Sequence, residues 1–257
     1  MMYTILSYIK YKLTAKNQHS VHSPFVYDLV TQCFYDSESY PAYDKLKTYK
    51  EYLLASDDTV QVTDLGEGGS SKTTEERKVS AITKIAASLN KGQRLMYRLV
   101  KYLNSSSCLE LGTSLGNATY AMALANTEGA ITTIEGCPNI SNYTAQRFKE
   151  NNITNVSFLH GDFKHVLPNL EASQYDLIFF DGNHNKDATL LYFETMLDKA
   201  HNDSVFIFDD IYWSKGMTEA WEIIKAHPRV TVTIDIFFWG LVFFRKEQGK
   251  EHFKIRM

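Results

Sequence analysis

The chain has 257 residues, of which 44 % are hydrophobic and 22 % charged, a balance typical of a globular protein. Residues 1–105 carry a net charge of +3 and the remaining residues −6, which gives a formal net charge of −3. This slightly negative net charge argues against a nucleic-acid partner, because domains that bind nucleic acids usually present a basic face. Three widely spaced cysteines give no sign of a disulfide framework, and no apolar run approaches the roughly 20 residues of a membrane span.

Residues 1–105 are predicted to form a mainly helical N-terminal extension or lid. Helices are expected over residues 1–16 (short and amphipathic), after a cap at Ser23 followed by Pro24, from Pro41 to about residue 55, and over 74–104 with a break near 90–92. A short strand is expected at 60–63. The glycine-rich segment at 64–69 resembles a nucleotide loop, but the residues directly after it, 70–73, are polar and are not a helix that packs on a sheet. The segment is therefore predicted to be a flexible loop, part of a lid.

From residue 106 to 257, short apolar runs alternate with helical stretches. The runs are 108–111, 130–134, 156–159, 175–180 and 204–208, followed by two β-rich runs at 229–236 and 239–245. Strict alternation of strand and helix predicts a parallel sheet covered on both faces. The two final runs are separated by too few residues for a helical crossover, so the last strand is predicted to be antiparallel. The fold class is therefore a Rossmann-like α/β fold.

The first run leads into Glu110 and a turn between Gly112 and Gly116. Glycine permits a sharp turn and close approach of a ligand to the backbone. The spacing differs from the dinucleotide fingerprint, and the acid at Glu110 favours a ligand that carries an amine over a pyrophosphate. The alternative interpretation, in which the glycine turn only joins the strand to the helix, remains open.

The next two runs also end in acids. Glu135 at the end of the second strand is placed to accept hydrogen bonds from the ribose hydroxyls of a nucleoside, although a solvated strand-end acid is equally compatible. Asp162 follows the third strand, where it either accepts a hydrogen bond from an adenine amino group or caps the next helix.

Three further acids follow two strands that are expected to be neighbours: Asp181 after the fourth run, and Asp209 with Asp210 after the fifth. Such acids need a partner to offset their desolvation, and three oxygen ligands would suit Mg²⁺ or another divalent cation. The alternative to cation binding is that these acids cap a loop or face water. His184 lies in the same loop as Asp181, and an imidazole group generally titrates near neutral pH, so His184 is a candidate general base or a loop histidine bonded to backbone.

The ordered motifs ELGTSLG, TIEG, GDF, YDLIFFDGNH and FIFDD resemble those of class I S-adenosylmethionine-dependent methyltransferases, especially the O-methyltransferases related to catechol O-methyltransferase. The resemblance covers about residues 105–245 and implies a seven-stranded sheet with the last strand antiparallel and helices on both faces. It implies S-adenosylmethionine as cofactor, bound by Glu110, Gly112, Thr113, Ser114, Gly116, Glu135, Gly136, Asp162 and Asp181.

The same resemblance implies a divalent cation at Asp181, Asp209 and Asp210, and catalytic roles for His184 and Asp181. Two positions depart from the family pattern: Asp210 stands where Asn is common, and His184 stands where catechol-type members carry a lysine. The implied reaction is O-methylation of a small hydroxylated molecule. Rival hypotheses are a metal-independent methyltransferase that acts on nitrogen or a macromolecule, and a nicotinamide-dependent oxidoreductase. We expect a cytoplasmic protein with a small-molecule acceptor and no membrane or nucleic-acid partner, and the sequence leaves open whether it forms a homo-oligomer.

Overall fold

The computed structural model describes residues 2–63, 74–86 and 90–257, which group into two compact units. One unit combines residues 1–35 with 167–257, and the other spans 36–166. The glycine-rich segment predicted to be a flexible lid loop lies outside the described residues. Within the described ranges, no helix is both long and apolar enough to cross a bilayer. A domain boundary at residue 105 stays a prediction.

The helices and strands alternate through most of the chain. The α-helices are α1 (Met2–Thr14), α2 (Pro24–Leu29), α3 (Ala42–Ala55), α4 (Val79–Ala86), α5 (Asn90–Tyr102), α6 (Asn117–Ala125), α7 (Pro138–Glu150), α8 (Phe163–Val166), α9 (Lys186–Met196) and α10 (Lys215–Ala226). The strands are β1 (Thr59–Thr63), β2 (Thr74–Lys78), β3 (Ser107–Leu111), β4 (Ala130–Glu135), β5 (Val156–His160), β6 (Tyr175–Phe180), β7 (Ala200–Asp209), β8 (Val232–Asp235), β9 (Trp239–Phe243) and β10 (Glu251–Lys254).

In the unit of residues 36–166, strands β3, β4 and β5 pair in parallel and in that order. The register places Glu110 beside Thr133 on β4, and Glu135 beside His160 on β5. Helices α6 and α7 provide the two crossovers, as the alternating pattern predicted. The ring of Phe148 on α7 packs edge-on against Phe158 of β5 at 5.3 Å, which anchors the helix to the strand that follows it.

In the other unit, β6 and β7 pair in parallel, and β9 runs antiparallel to both β7 and β8. The prediction of an antiparallel last strand in the methyltransferase-like sheet is therefore confirmed. Aromatic side chains fill the core beside these strands; for example, the rings of Phe180 and Phe208 stack at 4.4 Å. The helix start at Ser23 is confirmed as well, since its hydroxyl accepts the amide hydrogen of Val26.

Two details of the predicted elements are wrong, the state of residues 74–78 and the number of strands. Residues 74–78, expected to be helical, form β2, which pairs antiparallel with β1 although its charged residues favour helix by themselves. The predicted interruption of the helical stretch that follows is confirmed, since α4 ends at Ala86 and α5 begins at Asn90, although residues 90–92 are themselves helical. The short strand β10 was not predicted, because its sequence Glu-His-Phe-Lys lacks an apolar run; it pairs in parallel with β8.

The outcome is a mixed α/β fold whose sheet of eight strands is mostly parallel and contains an antiparallel strand near one end. It has one strand more than the seven predicted, since β10 extends the sheet beyond β8.

Candidate active site

The turn after β3 needs glycine at both predicted positions. Gly112 has a φ of +103° and its amide donates to the carbonyl of Ile134 at 2.9 Å, which ties the turn to β4. Gly116 has a φ of +74° and precedes α6. A Cβ atom at Gly116 would lie 2.6 Å from the ring of Phe148 and 2.7 Å from the methyl group of Thr144. Its lack of a side chain therefore lets α7 pack closely against the turn, a role that its sequence spacing alone did not reveal.

Replacing Gly116 with alanine should lower the free energy of unfolding by about 2–5 kcal/mol. Left-handed backbone costs an L-residue about 1–2 kcal/mol, and overpacking against Phe148 adds a further 1–3 kcal/mol. Urea denaturation followed by circular dichroism measures the change. Gly249→Ala is the matched control, because a Cβ atom there has no neighbour within 4 Å. Equal midpoints for the two variants would contradict this packing role.

Glu110 is the acid of the first motif, and it is buried in a network of hydroxyl groups. The hydroxyls of Thr119 and Thr133 both donate to its Oε2, the latter at 2.6 Å, and Thr113 is hydrogen bonded in turn to Thr133 at 2.5 Å. Burial is the main cause that raises the pKa of Glu110 to about 7, and the two threonine hydroxyls oppose the rise. Neither Thr119 nor Thr133 stands out in the sequence, although the parallel register of β3 and β4 places Thr133 beside Glu110.

Glu135 lies at the end of β4 and bridges two turns. Its Oε2 accepts the amide hydrogen of Ser114 at 2.8 Å, and its Oε1 accepts that of Cys137 at 2.9 Å. Burial raises the pKa of Glu135, and these backbone hydrogen bonds lower it. Each carboxylate oxygen has a further lone pair, so the side chain can still accept a hydrogen bond from a ligand hydroxyl. Thr144 fixes the same turn by donating to the carbonyl of Ser114 at 2.8 Å.

Asp162 follows β5 and caps the short helix α8. Its Oδ1 accepts the amide hydrogen of Lys164 at 2.9 Å, and its carbonyl accepts those of His165 and Val166. Asp162 thus caps the helix, which is one of the two roles expected from the sequence, and its side chain is exposed. A contact with adenine stays a prediction.

A second group of candidate residues lies in the unit of residues 1–35 and 167–257. Asp181 follows β6, Asp209 ends β7, and the ligand atoms of these two side chains and of His184 lie within 4.8 Å of one another. His184 Nε2 is 3.8 Å from Asp181 Oδ1. The structure therefore brings together two of the three predicted cation ligands, with His184 rather than Asp210 as the third member of the group.

Asp210 still acts on this group through its charge. Its φ is +53°, and its amide donates to the carbonyl of Phe238 at 2.8 Å, which holds the turn after β7. Burial lowers the pKa of His184, and the charge of Asp210 opposes that shift. Burial also raises the pKa of Asp210, while His184 lowers it. The two side chains are thus close enough to influence each other electrostatically.

Asp209 provides the observation that fits a cation. Its side chain is buried, and Oδ1 has no hydrogen-bond partner among the described residues. Burial, followed by the charge of Asp210, raises the pKa of Asp209 to about 7, and interactions of the carboxylate with Asp181 and Trp239 oppose the rise. A buried carboxylate oxygen without a partner is costly unless a proton or a cation compensates it. Two carboxylate groups that converge in this way provide oxygen ligands of the kind that divalent cations bind.

Comparisons with known proteins agree on the class of protein. A family model described as a methyltransferase domain matches residues 109–211. Among solved structures, the chain is similar to the O-methyltransferase TomG from Streptomyces achromogenes, involved in tomaymycin synthesis and solved with S-adenosylmethionine, with 17 % identity, a TM-score of 0.56, and coverage of 84 % of this chain and 96 % of that one.

Two further structures show the same likeness. An O-methyltransferase from Bacillus cereus in complex with S-adenosylhomocysteine has 19 % identity and a TM-score of 0.54, over 80 % of this chain and 92 % of that one. A Podospora anserina methyltransferase bound to S-adenosylhomocysteine has 14 % identity and a TM-score of 0.58, over 88 % of this chain and 97 % of that one. No curated protein sequence matches the chain.

Residues 109–211 thus match the model of a methyltransferase domain, and the chain has the fold of S-adenosylmethionine-dependent O-methyltransferases. This confirms the class of enzyme that the ordered motifs predicted.

Proposed function

We propose that this methyltransferase transfers the methyl group of S-adenosylmethionine to a hydroxyl oxygen of a small molecule, with help from a divalent cation. The observation that carries the cation part is the group of Asp181, His184 and Asp209, which includes a buried carboxylate oxygen without a partner among the described residues. The acceptor is a small hydroxylated molecule, and the reaction takes place in the cytoplasm. The proposal does not depend on whether the protein is a monomer or a homo-oligomer.

The cofactor-binding residues are proposed to be those of the strand-end motifs. They are Glu110, Gly112, Thr113, Ser114, Gly116, Glu135, Gly136, Asp162 and Asp181. Glu135 supports this assignment best, because two backbone amides orient its carboxylate while leaving lone pairs for ribose hydroxyls. Glu110 supplies negative charge suited to the amino group of the methionine moiety. Gly116 contributes by allowing the close packing of α7 behind the turn.

The catalytic residues are proposed to be Asp181 and His184. Asp181, Asp209 and Asp210 provide the negative charge that holds a divalent cation, and His184 lies next to Asp181. Such a cation lowers the pKa of a hydroxyl group. His184 accepts the acceptor's proton at a ring nitrogen, and its lowered pKa keeps the imidazole neutral and able to do so near neutral pH. The remaining contribution of the protein is to align the acceptor oxygen with the methyl group.

Replacing Glu135 with alanine should raise the Kd for S-adenosylhomocysteine by about 10- to 100-fold. A hydrogen bond to a charged group contributes about 1.5–3 kcal/mol, so the net loss of one such bond to the ribose accounts for a change of this size. Isothermal titration calorimetry measures the Kd, and the melting temperature without ligand shows whether the variant is folded. The control is Glu128→Ala, which removes an exposed glutamate from the same unit. A Kd equal to that of the wild type would exclude Glu135 from the cofactor site.

A further inference from the structure

Helix α1 is fixed to its own compact unit through one side only. Tyr11 is buried, and its hydroxyl donates to the carbonyl of Ile255. The rings of Tyr8 and Tyr11 pack against Phe237 at 4.9 and 5.4 Å. Arg256 donates through Nη2 to the carbonyl of Lys12 at 3.2 Å, near the end of the helix. These contacts determine which side of α1 faces outward.

The outward side of α1 is strongly apolar. Its exposed side chains are Met2 (77 %), Ile5 (55 %), Leu6 (60 %), Ile9 (52 %) and Leu13 (80 %). At 3.6 residues per turn, these five positions fall within an arc of roughly 100°, and its centre lies opposite the buried Tyr11. An amphipathic helix usually turns its apolar stripe toward the core, whereas α1 turns it toward solvent. A continuous exposed stripe of this kind marks an interaction surface.

The charges beside this stripe are all positive. Lys10 and Lys12 lie on opposite borders of the apolar arc, at roughly 80° on either side of its centre. Lys16 follows the helix, and the sequence from residue 2 to 27 contains no acidic residue. The nearby carboxylate of Asp235 is buried and paired with Lys254 at 3.2 Å, so it does not neutralise these lysines.

We propose that α1 lies in the headgroup region of an anionic lipid surface, with its apolar stripe inserted and its lysines in contact with lipid phosphates. Lysines on both borders of an apolar stripe can extend toward headgroups while their methylene chains cover apolar surface. Two-fold pairing of the same stripe with a second copy would bring Lys10 and Lys12 of both copies together, and like charges disfavour that arrangement. Binding of this kind does not need a helix that spans the membrane, so it is compatible with the absence of such a helix among the described residues.

Vesicle flotation tests the proposal. The full chain should float with vesicles of equal parts phosphatidylglycerol and phosphatidylcholine, and remain unbound with phosphatidylcholine alone. Since each lysine near an anionic surface contributes roughly fivefold to partitioning, Lys10→Glu with Lys12→Glu should lower the partition coefficient at least about tenfold. Leu6→Glu with Ile9→Glu should abolish flotation. Leu191→Glu, at an exposed leucine of α9, is the matched control and should float like the wild type.

Two results would overturn the proposal. One is wild-type protein that does not float with the anionic vesicles. The other is a dimer in light scattering that the Leu6→Glu, Ile9→Glu variant dissociates, which would show that a second copy covers the stripe. The variants change exposed side chains, and their melting temperatures report any loss of folding independently of lipid binding.

Discussion

Replacing Asp181 with alanine is expected to lower kcat/KM for the acceptor by about 10²–10³-fold. Asp181 belongs to the group whose ligand atoms lie within 4.8 Å of one another, and its removal leaves the proposed cation with only Asp209 and Asp210. A catalytic cation contributes several kcal/mol to the stabilisation of developing charge, and each 1.36 kcal/mol corresponds to tenfold in rate. Initial rates of methyl transfer from labelled S-adenosylmethionine, measured with Mg²⁺, Mn²⁺ or excess chelator, give the value.

The control for this experiment is Asp187→Ala, which removes an exposed carboxylate in the first turn of α9. It removes the same functional group a few residues from the site and should retain wild-type rates. Calorimetric titration with Mn²⁺ adds a measurement that does not depend on turnover, and Asp181→Ala should lose the binding that Asp187→Ala keeps. Wild-type rates that persist in chelator would favour the metal-independent methyltransferase instead.

The positions of the candidate residues along the strands could be predicted from the sequence, because each acid directly follows an apolar run. Glu135 ends β4, Asp209 ends β7, and Asp181 follows β6, as the alternating pattern predicted. Short apolar runs between helical stretches are typical of the buried strands of a parallel sheet, so the end of each run indicates the end of a strand. The assignment of His184 to the same site as Asp181 rested on their spacing, and the structure brings their side chains to 3.8 Å.

Contacts between residues that are distant in sequence could not be predicted in this way. The need for glycine at Gly116 comes from Phe148 on a different helix, and no local pattern indicates that contact. The strand β2 forms because its main chain pairs with β1, which overrides the helical preference of its charged residues. The role of Asp162 could not be predicted either, because an aspartate after a strand can cap the next helix or bind a ligand equally well.

Replacing Glu110 with glutamine should change the pH dependence of stability more than any other single change in the cofactor motifs. The pKa of Glu110 is about 7 in the native protein, compared with 4.5 expected in the unfolded chain. An acid with a raised native pKa stabilises the fold most below pH 4.5, and this contribution is lost as the pH rises through 7. The difference between the two pKa values corresponds to about 3 kcal/mol. Urea denaturation from pH 5 to 8 should therefore show the variant gaining stability relative to the wild type by about that amount.

The same substitution should weaken cofactor binding, and this separates a functional role for Glu110 from a structural one. Glutamine still accepts hydrogen bonds from Thr119 and Thr133, so the buried network keeps its geometry. It has no charge to pair with the amino group of S-adenosylhomocysteine, so the Kd at pH 8 should rise about tenfold or more, because a charge-assisted hydrogen bond contributes roughly 1.5–3 kcal/mol. Glu128→Gln, at an exposed site, should leave both quantities unchanged. A variant with greater stability at pH 8 and an unchanged Kd would show that the charge of Glu110 destabilises the fold and does not contribute to cofactor binding. That result would exclude Glu110 from the binding site.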